Sequence, residues 1–162
     1  MLINEEKKLI KILFVCHGNI CRSPMAEYVM KDLVSAAGLE DLFYIDSAAT
    51  SSEEIGNSVY PPAQRKLREV GIRNINHHAR RMERYDYQRF DYLIGMEQYN
   101  IRNMLRILGS DPEGKVARLL DFSNRPRDIS DPWYTDDFDT AYDDILEGCT
   151  ALLRHIRKEN GI

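Results

Sequence analysis

The most constraining stretch of the chain is Lys11-Ile-Leu-Phe-Val-Cys16, a nearly continuous apolar run that a short loop joins to Ser23-Pro24. A run this short and this apolar suits a strand covered on both faces, as in parallel sheets. Ser-Pro is a helix start, with Ser23 at the N-cap and Pro24 at the first helical position. Met25, Val29 and Leu33 then recur every fourth residue and give the helix one apolar face, which Gly38 closes. A buried strand feeding a helix is the start of a βαβ unit.

The same rhythm continues. Leu42–Asp46 reads as a second strand and Phe90–Met96 as a third, with Val116–Leu120 a fourth. Between them, Ala63, Leu67 and Val70 before Gly71 mark one helix, and Ile101, Leu105 and Leu108 before Gly109 another. From Phe138 the apolar positions Tyr142, Ile145, Cys149, Leu152 and Ile156 alternate steps of four and three, an amphipathic final helix. Gly148 inside it costs about 1 kcal/mol against Ala. The expected fold is α/β: one four-stranded parallel sheet with helices on both faces. The expected domain runs over residues 9–162, with 1–8 as an N-terminal extension. Such sheets bind ligands at the carboxyl ends of their strands.

Composition narrows the class. A net charge of −4 argues against nucleic acid as the partner. No apolar run approaches the ~20 residues of a membrane span, and the first residues carry no export signal. Three cysteines in 162 residues fit a reducing cytoplasm better than a disulfide scaffold. The four histidines have no metal-ligand spacing with those cysteines, so neither metal nor cofactor is expected.

The loop Cys16-His17-Gly18-Asn19-Ile20-Cys21-Arg22-Ser23 joins the first strand to the helix N-terminus, where unpaired amides and the helix dipole attract an anion. Gly18 and Asn19 readily take positive φ, so the amides can curl inward as a nest. Arg22 adds a planar fork suited to phosphate oxygens. A thiol at Cys16 is expected to ionise near neutrality, since such surroundings lower a cysteine pKa to roughly 3.5–7.5, and to face a bound phosphorus as nucleophile. A bare Cys-x5-Arg is cheap: three cysteines and fifteen arginines give about 0.3 chance occurrences. The apolar strand before it and the Ser-Pro helix start after it make the pattern far rarer.

Cys16-His-Gly-Asn-Ile-Cys-Arg-Ser-Pro24, followed by Met25-Ala-Glu27, resembles the signature of the low-molecular-weight protein tyrosine phosphatases. The resemblance continues through Asp46-Ser-Ala-Ala-Thr50, Glu54-Ile-Gly-Asn57, His77-x-Ala-Arg80, Phe90–Ile94 and Asp131-Pro-Trp-Tyr134, so it spans about Lys11 to Ile156. It implies hydrolysis of phosphotyrosine and aryl phosphate monoesters on protein substrates through a cysteinyl-phosphate. Inorganic phosphate and vanadate would then inhibit. It further implies that Asn19, Ser23, Ser47 and His77 form a network holding the loop, and that His17 and Glu53 lie on the pocket rim. Cys21 either packs behind the loop or, as the resemblance implies, pairs reversibly with Cys16 under oxidation.

Thiolate attack needs a proton for the leaving oxygen. Two Asp-Pro pairs offer one. Asp111-Pro-Glu-Gly114 fits a type I turn and reads as structural. Asp131-Pro-Trp133-Tyr134 puts two aromatics beside the acid, suited to flank a substrate ring, and matches the family's general-acid loop. Asp131 is therefore the expected acid.

Three other readings compete with this one. An arsenate reductase on the same fold needs relay cysteines, and the chain has none between Cys21 and Cys149. Protein arginine phosphatases of similar sequence carry threonine where Ile20 stands. A non-catalytic anion sensor would be expected to lack the nucleophile, the arginine or the acid, and all three are present.

Overall fold

The computed structural model describes residues 8–162, so most of the expected N-terminal extension lies outside the described residues. Strands β1 (Ile10–Cys16), β2 (Phe43–Ala49), β3 (Tyr92–Gly95) and β4 (Val116–Arg118) form one parallel sheet in the order β2-β1-β3-β4. The helices, in chain order, are α1 (Arg22–Ala36), α2 (Pro61–Glu69), α3 (Asp86–Arg89), α4 (Gln98–Leu108), α5 (Pro132–Thr135) and α6 (Phe138–Asn160). The expected fold class is the observed one.

Two apolar clusters cover the sheet. Ile12 and Phe14 of β1 pack with α1 and α6 on one face, while Leu13 and Val15 pack with Phe90 and α4 on the other. This alternation explains why β1 reads as continuously apolar. Both of its faces are buried. Because β1 is central, Cys16 ends level with Ala49 of β2, one residue beyond the Val15–Gly95 pairing with β3. The sheet thus delivers the cysteine to the middle of its carboxyl edge.

The differences from expectation have local causes. Strand β2 starts at Phe43, after a 3-10 turn over Glu40–Leu42, and runs on to Ala49 through small residues. Strand β4 stops at Arg118, and Leu119–Phe122 turn into a 3-10 helix. In α4 Met104 joins Ile101 and Leu108 in the core, while Leu105 is 37 % exposed. Ser23 is not the N-cap of α1. Cys21 holds that position without a side-chain hydrogen bond, and the Ser23 hydroxyl is committed elsewhere. At the other end of the chain, Asp137 caps α6. Asp137 accepts from the Thr140 amide at 2.9 Å and its hydroxyl at 2.7 Å, bonds that lower its pKa.

Gly148 has a packing reason that its helix cost conceals. A Cβ there would lie 2.5 Å from Leu119 Cγ, and Leu119 is fully buried. Gly148→Ala should therefore lower the melting temperature. Overpacking costs about 1–3 kcal/mol and, at this separation, outweighs the ~1 kcal/mol of helix propensity gained. A thermal melt that rises on this substitution would contradict the packing argument.

Candidate active site

The loop from Cys16 to Arg22 wraps the start of α1, so the helix's unpaired amides and its dipole face the same space as the Cys16 sulfur. Asn19 takes the left-handed conformation at φ 60°, whereas Gly18 does not, and one positive-φ residue suffices to turn the loop. The Asn19 amide donates to Cys16 Sγ at 3.3 Å, and Ser23 Oγ lies 3.0 Å from that sulfur. The sulfur is thus held in place by an amide donor from its own loop and by a hydroxyl at the start of α1.

Asn19 ties the loop to the sheet. Its Nδ2 donates to Ser23 Oγ at 2.8 Å and Ser47 Oγ at 2.9 Å, and its Oδ1 accepts from His77 Nε2 at 2.7 Å and the Arg80 amide at 3.2 Å. Ser47, near the end of β2, donates in turn to Glu27 Oε1 at 2.6 Å. Asn19, Ser23 and Ser47 are fully buried, and such a network rigidifies its loop because every broken bond would strand a polar group. Asn19, Ser23, Ser47 and His77 are thus in one connected cluster. Glu27, which in sequence looks like an ordinary helix carboxylate, is its anchor on α1.

His77 makes the network sensitive to pH. Burial pushes its imidazole below the ordinary value of 6.5, against the opposing pull of the Glu27 carboxylate. As pH falls, the unfolded chain takes up this proton before the native one does. The stability involved is complete above about pH 6.5 and is lost as pH drops through the lower native value. Denaturant midpoints measured from about pH 7.5 to about pH 5 should fall more steeply for the wild type than for His77→Gln. Equal slopes would contradict the assignment.

Arg22 enters the pocket from the start of α1 with its side chain 2 % exposed. Nη1 is held tightly, at 2.7 Å from both Glu97 Oε2 and the Ile129 carbonyl. Nη2 makes only a longer 3.3 Å contact, to Asp131 Oδ2. One edge of the guanidinium is anchored on Glu97 and Ile129, and the other faces Asp131. Glu97 precedes α4 at the carboxyl end of β3, where its side chain also closes a capping box with Asn100. Sequence reasoning marked that strand end for attention but missed Glu97, because Glu-x-x-Asn reads as an ordinary helix cap.

The pocket is a cleft of about 110 Å³ between the loop, Glu53 and Glu54 on one side and Asp131, Trp133 and Tyr134 on the other. Ile20 and Cys21 also line it. Asp131 caps α5, its Oδ1 accepting from the Trp133 amide at 3.1 Å. Trp133 leans on Tyr60 with ring centroids 4.9 Å apart, while Tyr134 is 83 % exposed. At the mouth, His17 Nε2 lies 3.1 Å from Glu53 Oε2. Cys21 is 5 % exposed, and burial raises its thiol far above the ordinary range. Cys149 sits fully buried in α6 with its thiol toward the Ala26 carbonyl, outside the residues that line the pocket. Asp111 bonds the Tyr87 hydroxyl and the amides of Lys115 and Val116, at the turn before β4.

Fold and site together define a parallel α/β protein with a cleft at the carboxyl edge of its sheet, lined by Cys16, Arg22 and Asp131. Residues 11–161 match the family model described as low molecular weight phosphotyrosine protein phosphatase. Low molecular weight protein-tyrosine-phosphatase YfkJ of Bacillus subtilis is 39 % identical over 153 residues, which cover 93 % of this chain and 98 % of that protein. Its crystal structure matches with a TM-score of 0.91, over 94 % of this chain and 97 % of that one. The Gallus gallus low molecular weight phosphotyrosine protein phosphatase is 40 % identical over 147 residues, 88 % of this chain and 92 % of that protein. A Drosophila arginine phosphatase structure matches with a TM-score of 0.84 at 33 % identity, over 91 % of this chain and 98 % of that one. The chain belongs to the low molecular weight phosphotyrosine protein phosphatase family.

Proposed function

We propose that residues 9–162 act as one catalytic domain that hydrolyses phosphotyrosine in protein substrates, in two steps through a phosphate ester of Cys16. The carrying observation is the convergence of three groups on one cleft: the Cys16 sulfur, the Nη2 edge of Arg22 and the Asp131 carboxyl. The loop amides and Arg22 hold the three non-bridging oxygens and stabilise the charge that builds on them. In the first step the sulfur–phosphorus bond forms and the bond to the tyrosine oxygen breaks, while Asp131 passes its proton to that oxygen. In the second, Asp131 takes a proton from water, the new oxygen–phosphorus bond forms and the sulfur leaves. Trp133 and Tyr134 flank the substrate ring, while His17 and Glu53 border the mouth.

Inorganic phosphate and vanadate would compete for the same amides. Three free thiols suit a reducing cytoplasm, and no helix among the described residues is long and apolar enough to cross a membrane. A relay like that of the arsenate reductases has no support, since Cys149 is sealed inside the core. The test is a panel of phosphotyrosine, phosphoserine and phosphoarginine peptides. Phosphotyrosine should be turned over fastest, and preference for phosphoarginine would replace this reading with that of the Drosophila relative.

A further inference from the structure

A second, larger concavity lies beside β2 on the α4 side of the sheet, an open groove of about 1130 Å³. Its lining holds Lys11, Arg80, Arg81, Arg84 and Arg89 against only Asp46 and Glu83. That is a marked local excess of positive charge on a chain whose net charge is −4. Part of it is already used. Arg80 is paired to Asp46 at 3.3 Å and to Asp86 at 3.1 Å, and Arg89 stacks on Tyr85 at 4.4 Å. Lys11, Arg81 and Arg84 make no ion pair among the described residues. Between these cations the surface is apolar, with Tyr44 49 % and Ile55 57 % exposed.

The groove and the catalytic pocket share a wall. Arg81 Nε donates to the Thr50 carbonyl at 3.4 Å, and the amides of Thr50 and Ser51 donate to the carbonyls of Cys16 and His17. Further along the same loop, Glu54 lines the pocket and its neighbour Ile55 lines the groove. The two sites differ in charge. Glu53, Glu54 and Asp131 make the pocket mouth acidic, whereas the groove is basic.

We propose that this groove docks an acidic stretch of the phosphoprotein substrate, set apart in sequence from the phosphorylated residue. The inference rests on the phosphatase reading above and adds a recognition element to it. An extended acidic peptide fits better than a compact polyphosphate, because the unpaired cations are spread along an open groove with apolar surface between them. A compact polyanion calls instead for donors converging on one point. A membrane surface fits poorly, since the site is concave. The acidic mouth repels acids immediately beside the phosphotyrosine, so the favourable ones lie further along the chain.

The test compares phosphotyrosine peptides bearing an acidic tract at increasing distance on either side with matched peptides carrying glutamine and asparagine instead. At one spacing the acidic tract should lower KM roughly three- to tenfold with little change in kcat, the worth of one or two exposed ion pairs. The gain should fade as salt rises. It should vanish in the Arg81→Glu, Arg84→Glu double variant, whose turnover of p-nitrophenyl phosphate stays at the wild-type level and reports an intact fold. Placing the same acids directly beside the phosphotyrosine should give no gain. No effect of the tract at any spacing, or an effect that survives the double variant, overturns the proposal. Absence of p-nitrophenyl phosphate turnover in the wild type would instead overturn the phosphatase reading beneath it.

Discussion

Cys16→Ser is expected to abolish hydrolysis of p-nitrophenyl phosphate, a loss on the order of 10⁴-fold or more, as when the nucleophile of other covalent enzymes is removed. The sulfur accepts from the Asn19 amide at 3.3 Å and lies 3.0 Å from Ser23 Oγ. A serine oxygen there sits further back and is a far weaker nucleophile at neutral pH. The oxyanion site itself survives the change. Arg22 keeps its bonds to Glu97 and Ile129, and α1 keeps its dipole. Vanadate and phosphate should therefore still bind the variant, as calorimetry can check. Arg22→Lys should also be severely impaired, because one ammonium cannot both keep the Glu97 anchor and grip an oxyanion with a planar fork. Substantial turnover by Cys16→Ser would remove the assignment.

The second large effect separates the two Asp-Pro pairs. Asp131→Asn should slow turnover of substrates with poor leaving groups by about 10²–10⁴-fold, the usual worth of general acid catalysis. The loss should shrink for good leaving groups, which need no proton. Asp111→Asn should leave turnover near the wild-type level yet lower stability by about 1 kcal/mol. Its carboxylate accepts from the Tyr87 hydroxyl at 2.8 Å and from two amides, at 2.8 and 3.1 Å, and an amide side chain cannot accept them all. Turnover measured beside a thermal melt checks both arms. A collapse of activity in the Asp111 variant with a normal Asp131 variant would mean that the acid had been assigned to the wrong loop.

Much of this architecture is legible in the sequence because burial on both faces leaves β1 and β3 mostly apolar, and because period-3.6 stripes expose α2, α4 and α6. The loop was legible for a related reason: its residue types are each demanded by anion binding at a helix start. What was hidden depends on contacts between distant residues. Ser47, Ala48 and Ala49 extend β2 by pairing with β1, and their small side chains carry no strand signal of their own. Met104 replaces Leu105 in the core because the face of α4 toward Leu13 and Val15 is set by the sheet, and both residues are equally apolar. Gly148 reads as a helix defect until Leu119 is seen against it. Glu97 and Glu27 look like ordinary helix carboxylates, and only the fold brings one to Arg22 and the other to Ser47.

The central claim is that phosphorus passes through a bond to the Cys16 sulfur. Rapid mixing with p-nitrophenyl phosphate, followed by acid quenching and peptide mapping by mass spectrometry, tests it directly. The account predicts a phosphorylated peptide carrying the group on Cys16, present in the first turnover of the wild type and absent from Cys16→Ser. Phosphate found on another residue, or a wild type that turns over with no phosphorylated peptide at any time, would contradict it.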